Sequence, residues 1–345
     1  MTQLDDSLSK LRKSIDAGLT LNTTRDQLHH YITSVVTSNL DDVLRILRTH
    51  IESFHELTED EVGDPSIAIH YTTIPVLISM LEDATSAVGQ SSLRLYDSNN
   101  FNDPDEGNFF NRNLGSRSPA VDALLDFEYS PHAYIVSFII PFSNAAHSHT
   151  DLQRDMSDNL VFWRTYGDEG LGCSLTLVLP RHKLRKVLYG RKAVDRTSQL
   201  LLPVLNSLYD CLTPIFDLPS TSFIKEHLQR TISGHIDKVR YLYKSEAYDY
   251  ERECRIVIPE VDTDKNLIRF QYEVDSNHGV SLKHYYEDED LQVRNIFVTD
   301  SIITFGPRVP RPDNLRYYCQ SLLTKIGRPY GPTFRTSPIP YQVAD

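Results

Sequence analysis

The stretch Ile67-Ala68-Ile69-His70-Tyr71-Thr72-Thr73-Ile74-Pro75-Val76-Leu77-Ile78-Ser79-Met80-Leu81 decides the fold class. Ile67 to Tyr71 reads as a strand. A helix follows at once: Thr73 can cap it, Pro75 is tolerated in its first turn, and Val76, Leu77, Met80 and Leu81 form its apolar face. Downstream, further apolar runs have strand length. They are Leu93 to Tyr96, Tyr134 to Ile140 (stopped by Pro141), Cys173 to Leu179 (stopped by Pro180), Arg255 to Ile258 and Leu267 to Tyr272. Asn295 to Val298 and Ile302 to Phe305 read as edge pieces. Few of these runs are separated by single helices of regular length, which disfavours a doubly wound parallel sheet. The pattern predicts an α+β domain over residues 66–327, with a mostly antiparallel central sheet and flanking helices.

Upstream of the polar stretch Glu59 to Pro65, residues 1–60 read as helical. Leu4, Leu8, Leu11 and Ile15 recur at helical steps, and Gly18 ends that segment. Thr24 and Gln27 have capping-box spacing ahead of Leu28, Ile32 and Val35. A third helix is predicted to start near Asn39, burying Leu40, Val43, Leu44, Leu47, Ile51 and Phe54. Residues 328–345 hold prolines at 329, 332, 338 and 340 and read as an extended surface tail.

Composition narrows the function classes. With 40% hydrophobic and 24% charged residues, the chain has the make-up of an ordinary globular protein rather than a disordered one. A formal charge of -12, from 35 Lys+Arg against 47 Asp+Glu, lacks the basic excess of a phosphate-gripping protein, so a nucleic acid would need a local basic groove. No apolar run is long enough to span a bilayer, and MTQLDDSLSK lacks a signal-peptide core, so a cytoplasmic protein is expected. Cys173, Cys211, Cys254 and Cys319 include no C-x-x-C pair and read as free, mostly buried thiols, with no metal expected. P-loop, dinucleotide-fingerprint, zinc-protease and nucleophile-elbow motifs are all absent. His147-Ser148-His149 sits in a polar run without a third ligand nearby and reads as a solvated loop.

Four islands carry candidate chemistry. His70 lies opposite Ile67 and Ile69 in its strand, where its ring nitrogens can hold a ligand, although alone it reads equally as a satisfied strand-end histidine. Phe101-Asn102-Asp103-Pro104-Asp105-Glu106 has turn chemistry and forms either a carboxylate-bearing loop or a plain surface turn. Leu160, Trp163 and Tyr166 make a ridge before Gly167, Gly170 and Gly172; Trp163 reads as core, while the Tyr166 hydroxyl can reach a ligand. Tyr248 to Ile258 is the most informative. Glu251, Glu253 and Arg255 share one face there, and Cys254, Ile256 and Ile258 share the other. Arg255 can hold one glutamate in a bidentate contact and leave the other for substrate, or the row can be a simple salt bridge.

In this order the islands resemble the Domain of Unknown Function 2971 family of microbes. The resemblance is carried by His70-Tyr71-Thr72, Leu93-Arg94-Leu95, Phe101 to Glu106, Ser137-Phe138, Trp163 to Tyr166, Tyr250 to Arg255, and Ile303 to Pro307. Tyr248 departs from it, standing where the family often has tryptophan. The arrangement is also similar to ADP-ribosyltransferases, including DNA-targeting toxins, in which a first-strand His or Arg binds NAD and a late-strand glutamate completes the site. That likeness implies an ADP-ribosyltransferase-like fold and NAD as substrate, without a metal. ADP-ribose would pass to a protein or nucleic acid, in phage defence or a toxin system. It makes Glu253 the charge-stabilising carboxylate, with Glu251 assisting the acceptor. His70, Tyr71, Thr72, Arg94, Tyr166 and Arg255 would bind NAD, and Asn102, Asp103 and Glu106 would form a substrate loop. Two other classes stay open. One is a non-catalytic nucleotide-sensing or interaction module, with the N-terminal helices engaging a partner. The other is a nuclease using Asp103, Glu106 and Glu251 on magnesium.

Overall fold

The computed structural model describes residues 30–86, 91–100, 105, 107–114, 118–125, 133–141, 156–216, 222–259, 262–275 and 279–341. The helix expected over Leu4 to Ile15, the start of the next one up to Leu28, and Asn102, Asp103 and Glu106 lie outside them.

The protein is α+β with a mostly antiparallel open sheet. Among the described residues ten strands form that sheet. Its main path runs β12 (Thr333–Thr336), β11 (Ile302–Phe305), β4 (Cys173–Val178), β1 (Ile67–Thr72), β3 (Ala133–Ile139), β2 (Ser92–Asp97), β10 (Gly279–Gln292) and β9 (Ile268–Asp275). β8 (Glu253–Pro259) joins through β3 and carries β5 (Arg185–Lys186) on its far edge. Every pairing in it is antiparallel except β11 with β12. β6 (Leu188–Tyr189) and β7 (Tyr243–Lys244) pair separately, in parallel.

A fork in the sheet follows from this register. β8 pairs with β3 from end to end, so it occupies one edge of that strand. β1 and β2 must share the other edge: β1 touches it at Ile69↔Ile139, and β2 at Tyr96↔Ile135 and Asp97↔Tyr134.

Two hydrocarbon cores flank this frame. One sheet face buries Val136, Phe138, Leu175, Leu177, Cys254 and Ile256 under helices α2 (Ile74–Thr85) and α8 (Pro312–Lys325). Thr73 caps α2 by accepting from the Val76 amide, as its position predicts. The second core is helical. α1 (Thr37–Arg45) packs with α3 (Asn108–Asn113), α4 (Pro119–Leu124), α6 (Arg191–Phe216) and α7 (Ser222–Arg240). Leu201, Leu205, Leu208 and Leu212 recur every third or fourth residue along α6 and are fully buried, each contributing on the order of 1.5–3 kcal/mol.

Three expectations change. Helix is continuous over 30–54, with no break near Asn39. It is part of the helical core, because Leu40, Val43, Leu44, Leu47 and Ile51 pack on α6 and α7, while Phe54 is only half-buried under the Arg196 guanidinium. Asn295 to Val298 is not a strand: Val293–Ile296 is a short helix, burying Val293 and Ile296 and exposing the two polar residues between them. Ile302 to Phe305 is not an edge either. Thr333–Thr336, within the expected tail, covers it as β12 and stacks Phe334 on Phe305.

Candidate site: a buried charge network behind strand β8

β8 starts at Glu253, two residues earlier than its apolar run suggests, because the Glu253 amide and carbonyl are bound by neighbouring segments. The amide donates to the Tyr189 hydroxyl at 2.8 Å, and the carbonyl accepts from the Val187 amide at 2.9 Å. Glu253 and Arg255 therefore alternate with Cys254 and Ile256, and all four are buried.

The Arg255 guanidinium grips Glu253 side-on, with Nε to Oε1 at 2.6 Å and Nη2 to Oε2 at 2.9 Å. Its remaining Nη1 donates to the Tyr241 carbonyl at 2.5 Å. Lys244, from β7, donates to Glu253 Oε2 at 3.0 Å and to Glu251 Oε2 at 2.8 Å. The Tyr166 hydroxyl donates to Glu251 Oε1. Two carboxylates and two cations thus form one network with balanced charge.

Burial alone would raise the Glu253 carboxyl. The charges of Arg255 and Lys244 overcome that, helped by hydrogen bonds from Arg255 and the Ser137 hydroxyl, and lower it to about 2. For Lys244, burial opposes its charge and the two glutamates outweigh it, raising the ammonium. Burial, then the bond to Glu251, raises the Tyr166 hydroxyl, which therefore keeps its proton.

Several backbone features hold the network in place. Arg252, between the two glutamates, sits at φ 48°, a left-handed conformation uncommon for a side chain of its size. Asp168 and Glu169, just beyond Tyr166, are also left-handed. Gly172 lets that segment lie against β1, since a Cβ there would meet the Thr72 carbonyl at 2.3 Å.

The candidate residues from sequence divide into two groups. Glu251, Glu253 and Arg255 come together with Tyr166, which lies 85 residues before Glu251, although Glu251 ends the helical turn Glu246–Glu251 instead of lying in the strand as its spacing predicts. Tyr71 supports them from behind: it is 7% exposed, donates to the Met156 carbonyl at 2.8 Å, and packs its ring on Phe162 and Trp163. That contact leaves no open ring face for nicotinamide, so Tyr71 is an anchor. Thr72 is buried in the β1–β4 pairing opposite Cys173. Arg94 is elsewhere, bound to Asp83 at 3.0 Å and Gln271 at 2.7 Å above the Tyr285 ring.

His70 is the main departure. Ile69 pairs with Ile139 and Ile139 with Glu253, so Ile69 shares Glu253's face and His70 leaves β1 on the opposite one. There it meets the Phe138 ring edge-on and spans the fork, with Nδ1 at 2.9 Å from the Ser137 carbonyl. A carbonyl only accepts, so Nδ1 carries the proton. Burial lowers the ring's pKa despite that bond. His70 thus reaches the network only through Ser137, whose carbonyl it holds and whose hydroxyl binds Glu253.

Sequence reasoning missed Lys244, Ser137 as a side-chain donor, Tyr189 and Tyr241. Lys244 ends the alternating run Tyr241-Leu242-Tyr243-Lys244, a strand signal with a charge on the side of Leu242. The Tyr241 hydroxyl also accepts from Ser98 at 3.1 Å, and Gly107 lies so close to its ring that a Cβ there would meet it at 2.6 Å.

No group of His, Cys, Asp and Glu side chains placed to hold a metal ion occurs among the described residues. Among them, no helix is long and apolar enough to cross a membrane. Comparison with protein-family models, with curated proteins and with solved structures found no match.

Proposed function

We propose that the network is the reactive centre of an NAD-dependent ADP-ribosyltransferase, with Glu251 rather than Glu253 as the carboxylate that meets substrate. Breaking the nicotinamide–ribose bond builds positive charge on the sugar, and a fixed carboxylate beside it stabilises that charge. Glu253 does not suit this role, because Arg255, Lys244 and Ser137 occupy its oxygens from within. Glu251 does. Its Oε1 partner, Tyr166, is 42% exposed and can yield to a ribose hydroxyl.

The observation that carries this reading is the meeting of Tyr166, Lys244, Glu251, Glu253 and Arg255 in one buried, charge-balanced network. Such groups are costly to bury and add little stability of their own. Arg255 and Lys244 then position the carboxylates. Tyr166 and the exposed Tyr250 offer rings at the solvent edge of the network, and Ser137 ties the β1–β3 fork to the centre. An ADP-ribosyltransferase-like fold is part of the proposal, supported by the antiparallel sheet and its fork. Membership in the Domain of Unknown Function 2971 family, a macromolecular acceptor and a cytoplasmic role in defence belong to the same proposal and rest on the sequence resemblance.

The test is incubation of the full chain with labelled NAD and cell extract. Labelled product or free nicotinamide is expected, and Glu251→Gln should lower its rate ~100-fold or more while the fold is kept. Absence of both products with folded wild-type protein overturns the reading.

One observation favours the sensing or interaction module instead: every oxygen of both glutamates is already satisfied inside the protein. That reading predicts a rise in Tm with NAD and no turnover. The nuclease alternative drew on Asp103 and Glu106, which lie outside the described residues.

A further inference from the structure

Two cavities adjoin at Arg185 of β5, and no residue of the charge network lines either. They enclose about 470 Å³ and about 260 Å³, and Arg185 and His182 line both. The smaller one is a built pocket. Hydrocarbon from Leu242, Ile256 and Ile258 lines it together with charged groups. It is below the roughly 300–1,000 Å³ of sites for drug-sized ligands, so its occupant is small.

The charges that line it are not all matched. Lys183 is paired with Asp288 at 2.7 Å and also with Asp290 at 2.6 Å, which does not line the pocket, and Lys238 is paired with Asp262 at 2.7 Å, so the four lining charges are matched. Arg185 and Glu52 remain. Arg185 spends Nη1 on two carbonyls of its own segment, His182 at 2.6 Å and Leu184 at 3.0 Å. Its Nε–Nη2 edge, the one that grips a carboxylate in parallel bonds, meets no acceptor among the described residues. Glu52 likewise has no ion-pair partner among them, although burial raises its carboxyl and the charges of Lys238, Arg185 and Arg48 only partly offset that. The two do not pair with each other. The pocket lining thus holds a guanidinium edge without an acceptor and a carboxylate without an ion-pair partner among the described residues, beside apolar side chains.

We infer that this pocket binds a small zwitterion with an apolar body, of the free α-amino acid class: its carboxylate on Arg185, its ammonium on Glu52, its side chain on Leu242, Ile256 and Ile258. A simple anion such as phosphate satisfies Arg185 but leaves Glu52 facing like charge. A simple amine has the converse problem. Only a ligand with both charges complements both groups. The site is independent of the NAD reading and stands or falls without it.

Calorimetric titration of the full chain tests it with three probes: leucine, isovalerate (the carboxylate half) and isopentylamine (the ammonium half). Leucine should bind, and each half at least ~10-fold more weakly, since a charge-assisted contact is worth about tenfold to a hundredfold. Arg185→Gln should weaken leucine and isovalerate and spare isopentylamine; Glu52→Gln should weaken leucine and isopentylamine and spare isovalerate. Failure of leucine, methionine and phenylalanine all to bind at millimolar concentration overturns the inference. So does isovalerate or inorganic phosphate binding as tightly as leucine, or both variants binding leucine like wild type. The three-probe comparison on wild-type protein decides the matter even where a variant does not fold.

Discussion

The two faces of β8 are equally dry and chemically opposite. Cys254 and Ile256 are 0% and 2% exposed on one; Glu253 and Arg255 are 6% and 2% exposed on the other. The apolar face needs no further account, because hydrocarbon removed from water stabilises the fold in proportion to its area. The polar face has no such account. Each buried ion costs several kcal/mol of lost hydration, and the mutual attraction of the pair only roughly restores it. Equal burial is therefore not equal contribution. One face holds the sheet together, and the other contributes little net stability.

The sharpest way to break that comparison is to remove one charge. Arg255→Met leaves Glu253 and Glu251 sharing Lys244, and should cost about 3–5 kcal/mol in denaturant unfolding. Adding Glu253→Leu in the same chain restores the balance, since Lys244 and Glu251 remain as a matched pair. The double variant should recover most of the lost stability and still lose NAD-dependent product. A double variant as unstable as the single one would show that the polar face is structural after all.

Acid titration probes the same face. Glu253 has its carboxyl lowered to about 2 from an ordinary 4.5, so the unfolded chain takes up the proton first. Its contribution is then complete above pH ~4.5 and is lost as pH falls through about 2, on the order of 3 kcal/mol in all. Glu253→Gln should flatten stability in that window and leave the slope between pH 4.5 and 7 unchanged. Over the latter range the buried His55 and His235, each lowered to about 4, contribute a rise in stability with pH, while Asp237, raised to about 7 by burial, contributes a fall. On the apolar face, Ile256→Val removes a single methylene group and should cost only about 0.5–1.5 kcal/mol, with activity intact.

How much of this was legible beforehand depends on range. β1, β2, β3, β4 and α2 follow from local signals: alternation, a capping threonine, prolines that stop strands. Glu253 and Arg255 on one face of β8 follow from period two alone. The fork at β3 does not, because which strand occupies which edge is a non-local choice. It places His70 opposite Glu253, which spacing cannot reveal. α6 and α7 went unread although Leu201, Leu205, Leu208 and Leu212 carry the helical period plainly; Pro203 and Pro214 obscured it. Lys244 was hidden for another reason. Its partners Glu251 and Glu253 follow closely in the chain, but an intervening helical turn, Glu246–Glu251, brings them back to it.

Tyr166→Phe separates the rim of the network from its centre. The phenol donates to Glu251 and is 42% exposed, so water can take its place once the hydroxyl is gone. Its ring stacks on Phe162, and phenylalanine preserves that contact. Stability should change by less than about 1 kcal/mol, the net value of one hydrogen bond with solvent at hand. Activity is another matter if Glu251 is the working carboxylate, because the hydroxyl holds its Oε1 in place. A fall in kcat of ~10-fold or more with an unchanged Tm would place Tyr166 at the reaction. Unchanged kcat would move the working surface away from Glu251, while a large drop in Tm would make the tyrosine part of the frame that the apolar face of β8 already provides.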